Sequence, residues 1–161
     1  MFTINLVDCM VKDALKFFHA YINEMIDLGG ENLPRAISTK LGAKLGDLYK
    51  ERGLNHNIEM ALNRSYTVLG AKPSIKKIDK HTYDITIKHS NKFCPIGGKA
   101  NPPQAKVIQD NICYPYTRSF LTKMFPEYQF EAEIKQCIVA NNSKYCHYVL
   151  RLKEKDKFNH L

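Results

Sequence analysis

The chain has 161 residues and a formal net charge of +8 at pH 7, a length that makes one domain rather than several. Hydrophobic residues make up 44%, with 9 Tyr, 8 Phe and no Trp, so a packed core is within reach and a wholly disordered chain is excluded. The charge permits contact with nucleic acid, anionic lipid or acidic proteins and demonstrates none, because the densest basic runs, at 72–80 and 151–157, are mixed with acidic or apolar residues as on a solvated surface.

Between residues 11 and 28 the apolar positions Val11, Leu15, Phe18, Ile22, Met25 and Ile26 step by three and four, which predicts a helix with one apolar stripe. Asp8, Lys12 and Asp13 interrupt the first apolar run, against a secretory signal. No stretch approaches the roughly 20 apolar residues that a membrane span needs. Gly29 and Gly30 end the helix. A second helix is expected from Pro34, a first-turn residue, carrying Ile37, Leu41, Leu45, Leu48 and Tyr49 to a stop at Gly53. A third runs from about Asn57 through Ile58, Ala61, Leu62, Tyr66 and Leu69 to Gly70.

The period then becomes two. Tyr83, Ile85 and Ile87 share one face of a strand over 82–88, and an upstream strand near 74–78 completes a hairpin. Pro95, Gly97 and Gly98 make 89–98 an irregular loop. Residues 104–124 read as a helix bent around Tyr114-Pro115, and 128–140 and 145–152 as two strands around Asn141-Asn142. Helices, hairpin, helix, hairpin is the order of an α+β fold, an antiparallel sheet packed against helices. One domain is expected over 1–161, helical over 1–70 and mixed over 74–153.

With no export signal the expected location is cytoplasmic, where five cysteines, an odd number, serve as thiols, metal ligands or redox switches. If Asn141 and Asn142 form a two-residue turn, Cys137 lies directly opposite Cys146. Cβ atoms at about 4.5–5.5 Å allow two thiolates to share one tetrahedral ion. Cys113 precedes this hairpin and Cys94 sits in the bendable loop, in the spacing Cys94-x18-Cys113-x23-Cys137-x8-Cys146. Zinc is the expected cofactor. His89 and Glu133 are alternative ligands, although Glu133 lies four residues before Cys137 on the same strand face, about 13 Å away at roughly 3.3 Å per residue. Cys9 is expected to pack as a core residue; for the other four, redox switching and plain core packing are the alternatives to metal binding.

Cys113, the segment 117–121, Glu133, Cys137 and the run from Cys146 to Leu150 resemble the vinyl-reductase-type small-molecule-binding domain, the 4-vinyl reductase or hydrocarbon-binding family. The resemblance implies the α+β fold shared with ligand-binding domains of nitric-oxide signalling and Golgi transport. It implies a small apolar molecule held between helices and sheet, for which Tyr83, Phe93, Ile96, Tyr114, Tyr116 and Phe120 are the candidate wall. In phenol-sensing regulators of this kind three cysteines and a glutamate hold zinc. Cys113, Cys137 and Cys146 match the cysteines, and Glu133 matches only loosely because it lies four rather than three positions before Cys137. In methanogen regulators of similar type the cysteines sense redox state. The expected function is a ligand-binding or sensing module with a structural zinc site. A thiol redox sensor is the alternative, and a zinc-dependent or reductase-type enzyme a further one. No Gly-rich dinucleotide loop is present, so a reductase lacks its cofactor site. Neither a membrane nor nucleic acid is an expected partner, since no basic recognition helix or finger spacing occurs. A homodimer paired through the apolar N-terminal helix is expected.

Overall fold

The computed structural model describes residues 6–54 and 57–155. Three helices come first: α1 (Leu6–Gly29), α2 (Asn32–Glu51) and α3 (Ile58–Thr67). The stripe expected on α1 faces the body only in part. Ile22 is buried, Leu15, Met25 and Ile26 are half-buried, and Phe18 is exposed. The side chains of Cys9 and Val11 lie outside the described residues.

The buried face of α2 is not the apolar one expected. Leu41 and Leu48 are 51% and 37% exposed, and the buried line is Pro34, Ser38, Gly42, Gly46 and Tyr49. Small residues four apart bring the α2 backbone onto the later helix that carries Tyr116, Phe120 and Lys123. A Cβ at Gly42 would collide with the carbonyl oxygen of Tyr116, and one at Gly46 would meet Lys123 Cβ at 2.7 Å. What this contact selects for is small size, so a hydrophobic periodicity passes over it. At the start of α3, Asn57 acts as N-cap, its Oδ1 accepting from the Met60 amide at 2.8 Å.

The sheet holds β1 (Lys72–Asp79), β2 (Thr82–Lys88), β3 (Tyr128–Gln136) and β4 (Tyr145–Glu154), antiparallel in the order β1-β2-β4-β3. Its inner face presents Tyr83, Ile85, Ile87, Phe130, Tyr148, Leu150 and Leu152 to Tyr49, Leu62, Phe120 and Leu121 of the helices. The outer face is polar and carries the Asp84–His147 contact at 2.5 Å. One covered face and one solvated face are the expected α+β layering, and they explain the period of two in β2.

Between the two hairpins run α4 (Pro102–Ile108), a π turn at Gln109–Cys113 and α5 (Tyr114–Met124). The irregularity expected at Tyr114-Pro115 lies one turn earlier. A proline inside a helix lacks the amide proton and crowds the carbonyl four residues back. The wider π turn opens the backbone at that place and lets the helix continue through Pro115. Asn111, buried within the turn, accepts from Arg35 Nε of α2 at 2.9 Å.

The last hairpin also differs from the two-residue turn and from strands reaching Ala140. β3 stops at Gln136, a short helical turn α6 (Ile138–Asn141) follows, and Asn142 takes the left-handed conformation. The pairing shifts between Ile134 and Gln136, a bulge that leaves Lys135 unmatched. Past the bulge, Gln136 pairs with His147, so the expected opposition of Cys137 and Cys146 survives through a longer turn. Among the described residues no helix is long and apolar enough to cross a membrane.

Gly42→Val drives a branched side chain into the α5 backbone. It is expected to cost roughly 1–3 kcal/mol, read as a lower urea midpoint, whereas Leu41→Ala on the exposed side should shift the midpoint little.

Candidate ligand cavity and thiol cluster

The bent α4–α5 run and the inner sheet face do not close on each other completely. A cavity of about 130 Å³ remains between them. Phe130, Ala132 and Ile134 of β3 and Tyr148 and Leu150 of β4 form its floor, Tyr66 of α3 one side, and Tyr114, Tyr116 and Thr117 of α5 its roof. His89, Pro95 and Ile96 close the end near the loop. Of the expected wall residues, Ile96, Tyr114 and Tyr116 line this space. Tyr83 and Phe120 pack in the core instead, with Phe120 edge-on to Tyr49. Phe93 stacks edge-on against His19 of α1. The same His19 takes Ile96 O as Nδ1 partner at 2.8 Å, so α1 holds the loop that carries Cys94 and Ile96.

Apart from the Cys137 thiol, whose pKa a hydrogen bond from Cys146 lowers, the walls are close to neutral at pH 7. Burial pushes the Tyr66 and Tyr116 hydroxyls up to about 12 and that of Tyr148 well above its usual range. Burial also holds the His89 imidazole down at about 4, leaving it uncharged. The guanidinium of Arg118 stands exposed at the rim, over the Tyr114 ring at 5.9 Å.

Cys94, Cys113, Cys137 and Cys146 all reach this cavity from the loop, the π turn, the end of β3 and the start of β4. The bulge at Lys135 is what brings Cys137 in. On an unbroken strand Cys137 would share the face of Glu133, and the extra residue turns it to the inner face beside Cys146. Glu133 stays outside, paired with Lys135 and, at 2.9 Å, with Arg151. The reading of Glu133 as a ligand beside Cys137 is therefore corrected, because the two lie on opposite faces. A hydrogen bond from the Cys146 thiol, supported by the backbone amides of Ala140 and Val139 and by Gln109, lowers the Cys137 pKa. The same bond raises that of Cys146. Cys146 Sγ also accepts from the Ile138 amide at 3.5 Å, and Cys94 Sγ from the Gly97 amide at 3.4 Å. Burial raises the thiols of Cys94 and Cys113. Cys94 and Cys137 are packed with Ala105, Ile108, Ile138 and Val139 in a second core cluster, flanked by Cys113 and Cys146. The donors suit a thiophilic ion, yet among the described residues no group of three or more His, Cys, Asp or Glu side chains is placed to hold a metal.

The periodicity of the sequence does not single out Tyr66, Thr117 and Tyr148 as wall residues. The usable signal for Tyr148 was its alternation with Cys146 and Leu150 along β4. Nothing in the sequence brings Tyr66 to it from 82 residues away.

No family model and no curated protein matches the chain. Two solved structures share its fold. A trafficking protein particle complex subunit 3 from Naegleria fowleri, covalently bound to palmitic acid, superposes with a TM-score of 0.62 at 14% identity over 91% of this chain and 97% of that one. The phenol-responsive sensory domain of the transcription activator PoxR, with phenol, gives 0.53 at 14% over 85% and 73%. The α+β architecture expected from the sequence, with its likeness to a transport-complex fold, is thereby shown.

The His89 ring takes up its proton only near pH 4 in the folded chain and near the ordinary 6.5 when unfolded. Its contribution to stability is complete above pH 6.5 and is lost as pH falls from 6.5 towards 4. Denaturant titrations across that window should show a smaller loss for His89→Gln than for the wild type.

Proposed function

We propose that this protein binds a small, neutral, mainly apolar molecule in the cavity between α5 and the sheet, and works as a sensing or carrier module rather than as an enzyme. The observation that carries this is a cavity of about 130 Å³ with mainly apolar walls. Apolar cavities near 150 Å³ take up a molecule of about benzene size. Drug-sized pockets run from about 300 Å³ upward, and a long acyl chain needs several times the space present here. The two fold relatives carry palmitic acid and phenol, and on volume alone the second kind of ligand suits this chain better.

The convergence of Cys94, Cys113, Cys137 and Cys146 favours a second role for that end of the cavity. Four soft donors are the set that structural zinc takes. Binding would have to draw the thiols together, because the described arrangement is not one that holds the ion. We further propose a homodimer. Met10, Phe17, Tyr21 and Leu28 recur on α1 at steps of seven and four, with Phe17 75% and Leu28 84% exposed. A second copy of the same helix would cover such a seam.

One native mass spectrum of purified protein reads all three properties. Twice the chain mass, a retained small molecule and one zinc per chain are the expected additions, and each fails separately if its mass is missing. For the cavity itself, calorimetric titration with toluene should show saturable binding to the wild type. Ala132→Phe, which puts a ring into the space, should abolish it at unchanged circular dichroism. Equal binding by both proteins would reject the cavity as the site.

A further inference from the structure

The cavity wall is mainly apolar, and three hydroxyl groups gather at one place on it. The hydroxyl oxygens of Tyr66 on α3 and Tyr148 on β4 lie 2.5 Å apart, and Thr117 of α5 hydrogen-bonds the Tyr66 hydroxyl. All three side chains face the cavity. The group draws one member from each of the layers around the space, so it stays together only while those layers do.

Hydroxyl counting shows what the trio can offer. Each hydroxyl carries one donor and two acceptor lone pairs. Three oxygens in a row make two bonds among themselves, which leaves one O–H and several lone pairs unused. The other polar groups on the wall are Gln109, Gln136, His89, His147 and the thiols. The His89 ring is half-buried and neutral, and the nearest guanidinium, Arg118, lies exposed over Tyr114 at the rim. A ligand oxygen left unpaired in such a space loses its hydration without return. One placed at the trio is satisfied, whether it donates or accepts. An anionic group has no counter-ion inside, because Arg118 stands at the rim and His89 is uncharged.

We propose, resting on the cavity reading above, that Tyr66, Tyr148 and Thr117 form a hydroxyl clamp that selects neutral molecules carrying one hydroxyl or carbonyl oxygen on an apolar frame of about one ring. The clamp determines specificity, while the apolar wall supplies most of the binding. A plain hydrocarbon fits the same space but leaves the spare donor unused.

Toluene and p-cresol differ by one hydroxyl and are the probes of choice, titrated by calorimetry into the wild type and into Tyr66→Phe/Tyr148→Phe. Removing both phenol oxygens together leaves neither as an orphan, which keeps the cost to folding small. The wild type is expected to bind p-cresol at least as tightly as toluene. The double variant should bind p-cresol about tenfold more weakly, the loss of one hydrogen bond at roughly 1.4 kcal/mol per decade, with toluene unchanged. Equal changes for both probes, no change for either, or a wild type that takes toluene and rejects p-cresol would overturn the clamp while leaving the cavity standing. If neither probe binds the wild type, the cavity reading fails and the clamp with it. Thr117→Val serves as an independent variant, folded by circular dichroism, and must lower p-cresol affinity relative to toluene for the clamp to hold.

Discussion

The backbone of α2 lies directly on that of α5, and most of the functional architecture hangs on this contact. It exists because Gly42 has no side chain where the Tyr116 carbonyl oxygen passes. Close contact there fixes the height of α5 over the sheet. That height sets the roof of the cavity, since Tyr116 and Thr117 are both roof residues. The Arg35–Asn111 bond adds a second tie between α2 and the π turn. A larger residue at position 42 would lift the helix, and interiors packed to near-crystalline density do not absorb such a shift without loss.

Two local departures from regular structure build the rest of the site. The π turn at Gln109–Cys113 accommodates Pro115 and presents Cys113 to the cavity. The bulge at Lys135 turns Cys137 inward and leaves Glu133 in the solvent with Arg151. Both features insert one extra residue into a regular repeat. Irregularities of this kind re-aim side chains next to functional sites, and here they converge on the same end of one cavity.

The chemistry of the walls then follows from burial. Desolvation keeps His89 uncharged and moves the tyrosine hydroxyls still further from ionisation, so the space suits a neutral guest. Helix α1 ties this interior to the outside. Through His19 it holds the loop at Ile96, and on its other side it shows an apolar seam fit for a second copy. A ligand that shifts the loop would therefore press on the helix that carries this seam.

How much of this was legible in the chain depended on the distance over which each decision was made. Helix periods, the strand over 82–88 and the Asn-capped α3 are local, because propensity and alternation act within a few residues, and those elements lie where the sequence places them. The convergence of Cys137 and Cys146 was also readable, through pairing register. The bulge was not, because nothing around Lys135 marks which residue a partner strand will leave unmatched. Nor could the chain show that α2 buries its glycines rather than Leu41 and Leu48, or that Tyr66 meets Tyr148. By itself the sequence determined the α+β layering and the set of thiols available to the site. Only the tertiary structure decided which face Glu133 takes, how large the cavity is and where its hydroxyl groups gather. Those depend on contacts between residues far apart in the chain, set by the packing of whole layers against one another.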